Sequence, residues 1–243
     1  MSLRSDLISA AMLLTRLPVR GRPTDPAARA AWAWPLVGLA VGLVSGLLGL
    51  TVHAVGATPA VAATLVIAAF VMLTGALHED GLADTADGLW GGHDAARRLE
   101  IMRDSRIGSY GVIALVLVLL LRWSLIATAL IQGQVLPVLL AAAVASRTAM
   151  AVLIRWQPHA RADGLSRGAG RPPANAVWIA LVPAGLALLP FGVAGLAAAV
   201  LAALVLAGLG HFVRAKIGGQ TGDVLGAAQQ LTEIAILAAL VSA

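Results

Sequence analysis

The chain has 243 residues, 59% of them hydrophobic and 12% charged, about half the charged share of an ordinary soluble domain. With a mean hydropathy of +0.89 and apolar runs that continue past about 18 residues almost without charge, it is not a water-soluble monomer but a polytopic, all-α membrane protein. Zero cysteines exclude disulfides, thiolate zinc sites and a cysteine nucleophile, and a net charge of +5 in such a chain reports orientation in the lipid bilayer rather than nucleic-acid binding.

In chain order, 5–17 reads as a short amphipathic or re-entrant helix. Ser5 or Asp6 can cap it, and its apolar stretch from Leu7 to Leu14 is too short to cross a bilayer. Arg16, Leu17, Pro18, Val19 and Arg20 follow where a small-residue cleavage site would stand, so no cleaved signal peptide is expected. Seven spans follow: Trp34–Leu50, Pro59–Leu77, Gly111–Ile131, Leu136–Ile154, Ala176–Pro190, Gly195–Val213 and Leu225–Ala243. The fifth is short and contains Pro183, so it can be broken or fused with the sixth, and the expected count runs from six to eight.

Fifteen of the 17 Lys and Arg residues fall in 1–33, 78–110, 155–175 and 214–224, whereas the turns at 51–58, 132–135 and 191–194 contain none. The positive-inside rule therefore puts the N-terminal segment and all three long loops in the cytoplasm. Trp32, Trp34, Trp156 and Trp178 at the same ends form an aromatic belt. No internal repeat stands out, and 1–243 reads as one membrane domain.

The chemistry concentrates in the 78–110 loop. Seven of the 12 acidic residues lie between positions 79 and 104, beginning His78-Glu79-Asp80-Gly81-Leu82-Ala83-Asp84-Thr85-Ala86-Asp87. On a helix, Asp80, Asp84 and Asp87 fall within about 60° of one another, and like charges on one stripe repel unless a cation neutralises them. Oxygen ligands of this kind, with Glu79 beside them, point to Mg²⁺, with Mn²⁺ as the alternative, shared with a substrate phosphate. The other reading is a solvated acidic loop, and Gly81 and Gly88 can break the helix.

Farther along the loop, Met102-Arg103-Asp104-Ser105-Arg106-Ile107-Gly108 interleaves base with acid. Guanidinium groups recognise phosphate bidentately, so Arg103 and Arg106 are candidates to clamp a pyrophosphate opposite a carboxylate-held metal, with Asp104 as a further ligand or base. Before the last span, Gly218-Gly219-Gln220-Thr221-Gly222-Asp223 is a glycine-rich turn opening a helix, suited to an anion or simply to capping. Arg122 and Arg147 lie inside spans, with Glu233 as a possible partner for Arg122, while Arg147 can snorkel toward the cytoplasmic loops. His53 and His211 read as interfacial residues at span ends.

These motifs together resemble the cobalamin synthase family, the adenosylcobinamide-GDP ribazoletransferases or cobalamin 5′-phosphate synthases. The resemblance is carried by Leu14-Thr15-Arg16-Leu17-Pro18-Val19, by the acidic stretch from His78 to Asp84 with Asp87-Gly88, and by Ile101-Met102-Arg103-Asp104-Ser105-Arg106-Ile107-Gly108 with Tyr110-Gly111. Ser146-Arg147, Ala160-Arg161 with Gly164-Leu165, and Gly218-Gly219 with Thr221-Gly222-Asp223 extend it along the chain. It implies an inner-membrane, Mg²⁺-requiring enzyme that joins adenosylcobinamide-GDP to α-ribazole or its 5′-phosphate and releases GMP. In that light Asp84, Asp104, Arg103 and Arg106 are the expected catalytic residues, and Glu79, Asp80, Asp84 and Asp87 the expected metal ligands. His78, Ser105, Arg147, Arg161, Gly218, Gly219, Gln220, Thr221 and Asp223 are the expected substrate contacts.

Two other classes are weaker fits. Asp84-x2-Asp87-Gly88 matches the opening of the CDP-alcohol phosphotransferase motif, but Gly91-Gly92 stands where that motif needs Ala-Arg, and 108–111 lacks its later aspartates. A secondary transporter would account for Arg122, Arg147 and Glu233, yet its polar residues would gather near the midplane rather than in loops.

Overall fold

The computed structural model describes residues 2–242. Among the described residues there are eleven α-helices and no strand, only an isolated bridge between His159 and Gln220. The order is α1 (Leu3–Leu14), a 3-10 segment (Ala27–Ala33), α2 (Trp34–Ala54), α3 (Pro59–Thr74), α4 (Leu77–Gly91), α5 (Ala95–Ile101), α6 (Ser109–Ile131), α7 (Val135–Trp156), α8 (Leu165–Ala169), α9 (Ala174–Leu188), a 3-10 turn (Leu189–Phe191), α10 (Gly192–Ile217) and α11 (Gly222–Val241).

Among the described residues, five helical stretches are long and apolar enough to cross a membrane, or six if the bent pair α3 and α4 counts as one. The fifth and sixth expected spans are joined, as a 44-residue apolar stretch from Ala174 to Ile217. At 1.5 Å per residue a straight helix of that length would be about twice the hydrocarbon thickness. It instead turns back at Leu189–Phe191, and Leu181 to Leu188 of α9 line one groove with Ala199 to Leu206 of α10. The seven spans expected from sequence correspond to these stretches with the hairpin taken as two and Pro59–Leu77, essentially α3 alone, taken as one.

α7 and α11 form the centre, with 83% and 78% of their apolar windows buried, whereas α6 is only 28% buried and turns its leucines outward. α2 closes on α7 through a row of small residues. A Cβ on Gly38 would lie 2.3 Å from the carbonyl oxygen of Ala143, and one on Gly42 would lie 3.0 Å from the Ala143 Cβ. Such rows let helix backbones approach where lipid supplies no hydrophobic drive.

α1 is capped by Ser2, whose side chain accepts from the Ser5 amide, so neither Ser5 nor Asp6 has the capping role expected of it. Asp6 instead accepts from the Thr24 hydroxyl at 2.5 Å and from the Trp32 indole at 2.9 Å, tying α1 to the 3-10 segment. The second expected span does not run on into the acidic stretch as one helix. Gly75 and Ala76 both take left-handed backbone angles (φ 65° and 57°), and α4 restarts at 88° to α3. α4 is a 15-residue helix rich in acid and is not itself a span.

Candidate active site

α4 and α11 cross where glycine permits it. A Cβ on Gly81 would sit 2.7 Å from the Asp223 carbonyl oxygen, and one on Gly226 would sit 3.1 Å from the His78 carbonyl. This close approach sets Asp80 and Asp84 of α4 beside Asp223 at the start of α11. Asp84 registers the crowding: burial first, and then the charges of Asp80, Asp223 and Asp87, raise its pKa to about 7, against a smaller opposing pull from Arg161. Arg161, from the α7–α8 connection, forms an ion pair with Asp223, and the Thr221 hydroxyl donates to the same carboxylate at 3.1 Å.

Beside this edge lies a cavity with Trp34, His78, Asp80, Met150, Ser166 and Asp223 in its lining. The glycine-rich turn builds one of its corners. Gly218 ends α10 in a left-handed conformation (φ 83°), and the Gln220 amide donates to the Pro158 carbonyl at 2.8 Å. The Gln220 side chain accepts from the Ser166 hydroxyl at 2.7 Å, and its amide lies 2.9 Å from His159 Nδ1. Burial, with Arg167 and Arg171 nearby, lowers the His159 pKa, so its ring is neutral and can accept. Thr221 caps α11 through the Val224 amide at 3.3 Å. Gly219, Gln220 and Thr221 thus brace the turn that presents Asp223.

Two expected metal ligands point elsewhere. Asp87 accepts the amides of Gly108 at 2.7 Å and Gly111 at 2.8 Å, fixing the start of α6. Glu79 is buried against Arg122 at 3.2 Å and accepts from Gln230 at 3.0 Å. The four carboxylates therefore do not converge as the helical stripe suggested, and no group of three or more His, Asp or Glu side chains among the described residues is arranged to hold a metal. What remains is the all-oxygen edge of Asp80, Asp84 and Asp223. It fits a hard cation such as Mg²⁺, which commonly takes only one or two protein carboxylates and completes its shell with water and substrate phosphate.

The arginines are also redistributed. Arg103 pairs with Asp163 across the loops at 2.5 Å. Arg106 forks onto Asp104 at 2.7 Å, and this pairing lowers Asp104 to about 2, leaving it a weak base. Ser105 is exposed beside them. Arg147 does not snorkel: it is buried with Glu233 at 2.9 Å, and Glu233 also holds Arg122 at 2.6 Å, the partner suggested by sequence. Phe70 lies under both guanidiniums, 4.6 Å from Arg122 and 5.8 Å from Arg147. This network ties α4, α6, α7 and α11 together below the acidic edge. Sequence reasoning missed Trp34, His159 and Ser166 as site residues. Trp34 carried only an aromatic-belt signal, and Ser166 carried none.

The fold and this edge define a polytopic membrane protein with a polar, carboxylate-lined site at one end of a helical bundle. The family model described as cobalamin-5-phosphate synthase matches residues 6–241, and the chain belongs to that family. Its relatives include an adenosylcobinamide-GDP ribazoletransferase from Bradyrhizobium diazoefficiens, 48% identical over 96% of this chain and 92% of the relative. Proteins of the same name from Mesorhizobium japonicum (42% identical; 96% and 91% covered) and Azorhizobium caulinodans (47%; 96% and 94%) are similar to it along almost the whole length. No solved structure matches.

Proposed function

We propose that the chain is an Mg²⁺-dependent adenosylcobinamide-GDP ribazoletransferase of the bacterial inner membrane, with its acidic edge facing the cytoplasm. The basic loops 1–33, 78–110, 155–175 and 214–224 support that orientation. The observation that carries the chemistry is the meeting of Asp80, Asp84 and Asp223 beside a cavity, in a chain whose relatives bear that name.

Asp80 and Asp223 would hold the cation against the pyrophosphate of adenosylcobinamide-GDP, and Arg161, already paired with Asp223, meets the phosphate from the other side. Bound there, Mg²⁺ would neutralise charge on the pyrophosphate and on the departing nucleotide. A hydroxyl of α-ribazole, or of its 5′-phosphate, attacks the cobinamide-linked phosphorus. The bond to the GMP phosphate breaks, and Asp84 accepts the hydroxyl proton. Burial and the neighbouring carboxylates raise Asp84 above the ordinary carboxylate value, which makes it a stronger base than a free aspartate.

Asp84→Asn is the direct test. It keeps the shape of the side chain and removes the base, so turnover should fall by at least about 10²-fold while thermal stability in detergent is kept. Near-normal turnover in a folded Asp84→Asn protein would remove Asp84 from the reaction.

A further inference from the structure

The transfer chemistry uses only the acidic edge of the cavity, yet most of its wall is apolar. Leu14 of α1, Trp34 of α2, Met150 and Ile154 of α7 and Ala169 of α8 form that wall, and the empty volume including the open mouth is about 630 Å³. Pockets for small organic ligands are mostly apolar, with a few placed polar groups. Two such groups are present. Trp34 and His78 are each 1% exposed, both line the cavity, and Trp34 Nε1 and His78 Nε2 have no hydrogen-bond partner among the described residues. Buried polar atoms are almost always paired, and an unpaired donor in a cavity wall calls for a ligand or an ordered water.

The electrostatics narrow the ligand. No lysine or arginine is among the described residues that line the cavity, and the Trp34 indole N–H is neutral. An anion would find no counter-charge on this wall, and a guanine would leave several of its donors and acceptors unmatched against Leu14, Met150, Ile154 and Ala169. A flat, neutral, apolar ring with an acceptor nitrogen suits this wall and pairs the Trp34 donor.

We propose that this cavity seats the heterocyclic base of the acceptor nucleoside, an apolar fused-ring azole, with its ring nitrogen accepting from Trp34 Nε1 and its ribose hydroxyls reaching the Asp80 and Asp84 edge. The inference deepens the transferase reading and rests on it for the identity of the nucleoside. The base is held by α1, α2, α7 and α8, and the reacting groups by α4 and α11, so base recognition and chemistry belong to separable side chains.

The test is equilibrium binding of radiolabelled 5,6-dimethylbenzimidazole to the full-length protein in nanodiscs, beside steady-state turnover of the same preparation. Trp34→Phe keeps the ring and removes the N–H; loss of one hydrogen bond to a buried ring corresponds to about tenfold in affinity. Saturable binding is expected, weakened about tenfold in Trp34→Phe and competed by α-ribazole but not by GDP. In turnover, KM for α-ribazole should rise by a similar factor, with KM for adenosylcobinamide-GDP and kcat unchanged. Ala169→Leu, which narrows the wall without touching Trp34, should penalise the dimethylated base more than unsubstituted benzimidazole. Binding that is absent, indifferent to both substitutions, or displaced by GDP would overturn the proposal. Binding as described in a folded protein without turnover would leave the base site standing and overturn the transferase reading alone.

Discussion

The carboxylates of α4 look alike in the sequence but differ in what the fold does with them. Helical spacing put Asp80, Asp84 and Asp87 on one stripe, and α4 is indeed helical there. Spacing along one helix could not show that the Gly108 and Gly111 amides would occupy Asp87, nor that Asp223, about 140 positions later, would complete the edge. Arg161 was legible only as one arginine among several, because its pairing with Asp223 depends on how the α7–α8 connection folds back. The raised pKa of Asp84 gives a prediction at this scale. Burial and like charges favour its protonated form below about 7, so the base is active only above that value. The kcat/KM of the transferase should climb about tenfold per pH unit on its acid limb and then level off, the break lying nearest about 7 at the lowest Mg²⁺ concentration that supports turnover. Raising Mg²⁺ should move the limb to lower pH, since a nearby cation favours the ionised carboxylate. A profile that stays flat between about pH 5.5 and 8.5 would show that Asp84 does not titrate in the reaction.

At the scale of elements, the hydropathy pattern located the apolar helices, and departures came where backbone conformation overrode it. The left-handed pair Gly75 and Ala76 breaks the second expected span, and the turn at Leu189–Phe191 folds one long apolar stretch into a hairpin. The second break carries a sequence signal in Pro190 and Gly192, where the fifth and sixth expected spans already part, whereas the first is marked by Gly75 alone. The small-residue row on α2 can be tested directly. At Gly38 an added methyl meets a backbone carbonyl at 2.3 Å, whereas at Gly42 it meets a side-chain methyl at 3.0 Å. Gly38→Ala should therefore lower the Tm in detergent clearly more than Gly42→Ala, with a destabilisation of about 1–3 kcal/mol expected for overpacking. Equal Tm values would mean that α2 and α7 separate easily and that the row is not a tight contact.

The molecule as a whole sets charge at two depths. The network of Glu79, Arg122, Arg147 and Glu233 is buried in the bundle, where an unpaired charge would be costly. The Asp80, Asp84 and Asp223 edge lies where the helices end and a cavity opens. Glu79 and Asp80 are adjacent in sequence yet serve these two depths, so the buried pairs anchor the helix that carries the site. The class of fold and the acidic motif could be read from composition and pattern, while the division of labour between depths required packing. The most direct measurement is turnover of detergent-purified protein supplied with adenosylcobinamide-GDP and α-ribazole, in Mg²⁺ or in EDTA, following GMP and the cobalamin product together. Release of both products in equal amounts with Mg²⁺, and of neither in EDTA, is the predicted result. Neither product from a folded preparation in Mg²⁺, or equal rates in EDTA, would contradict the account.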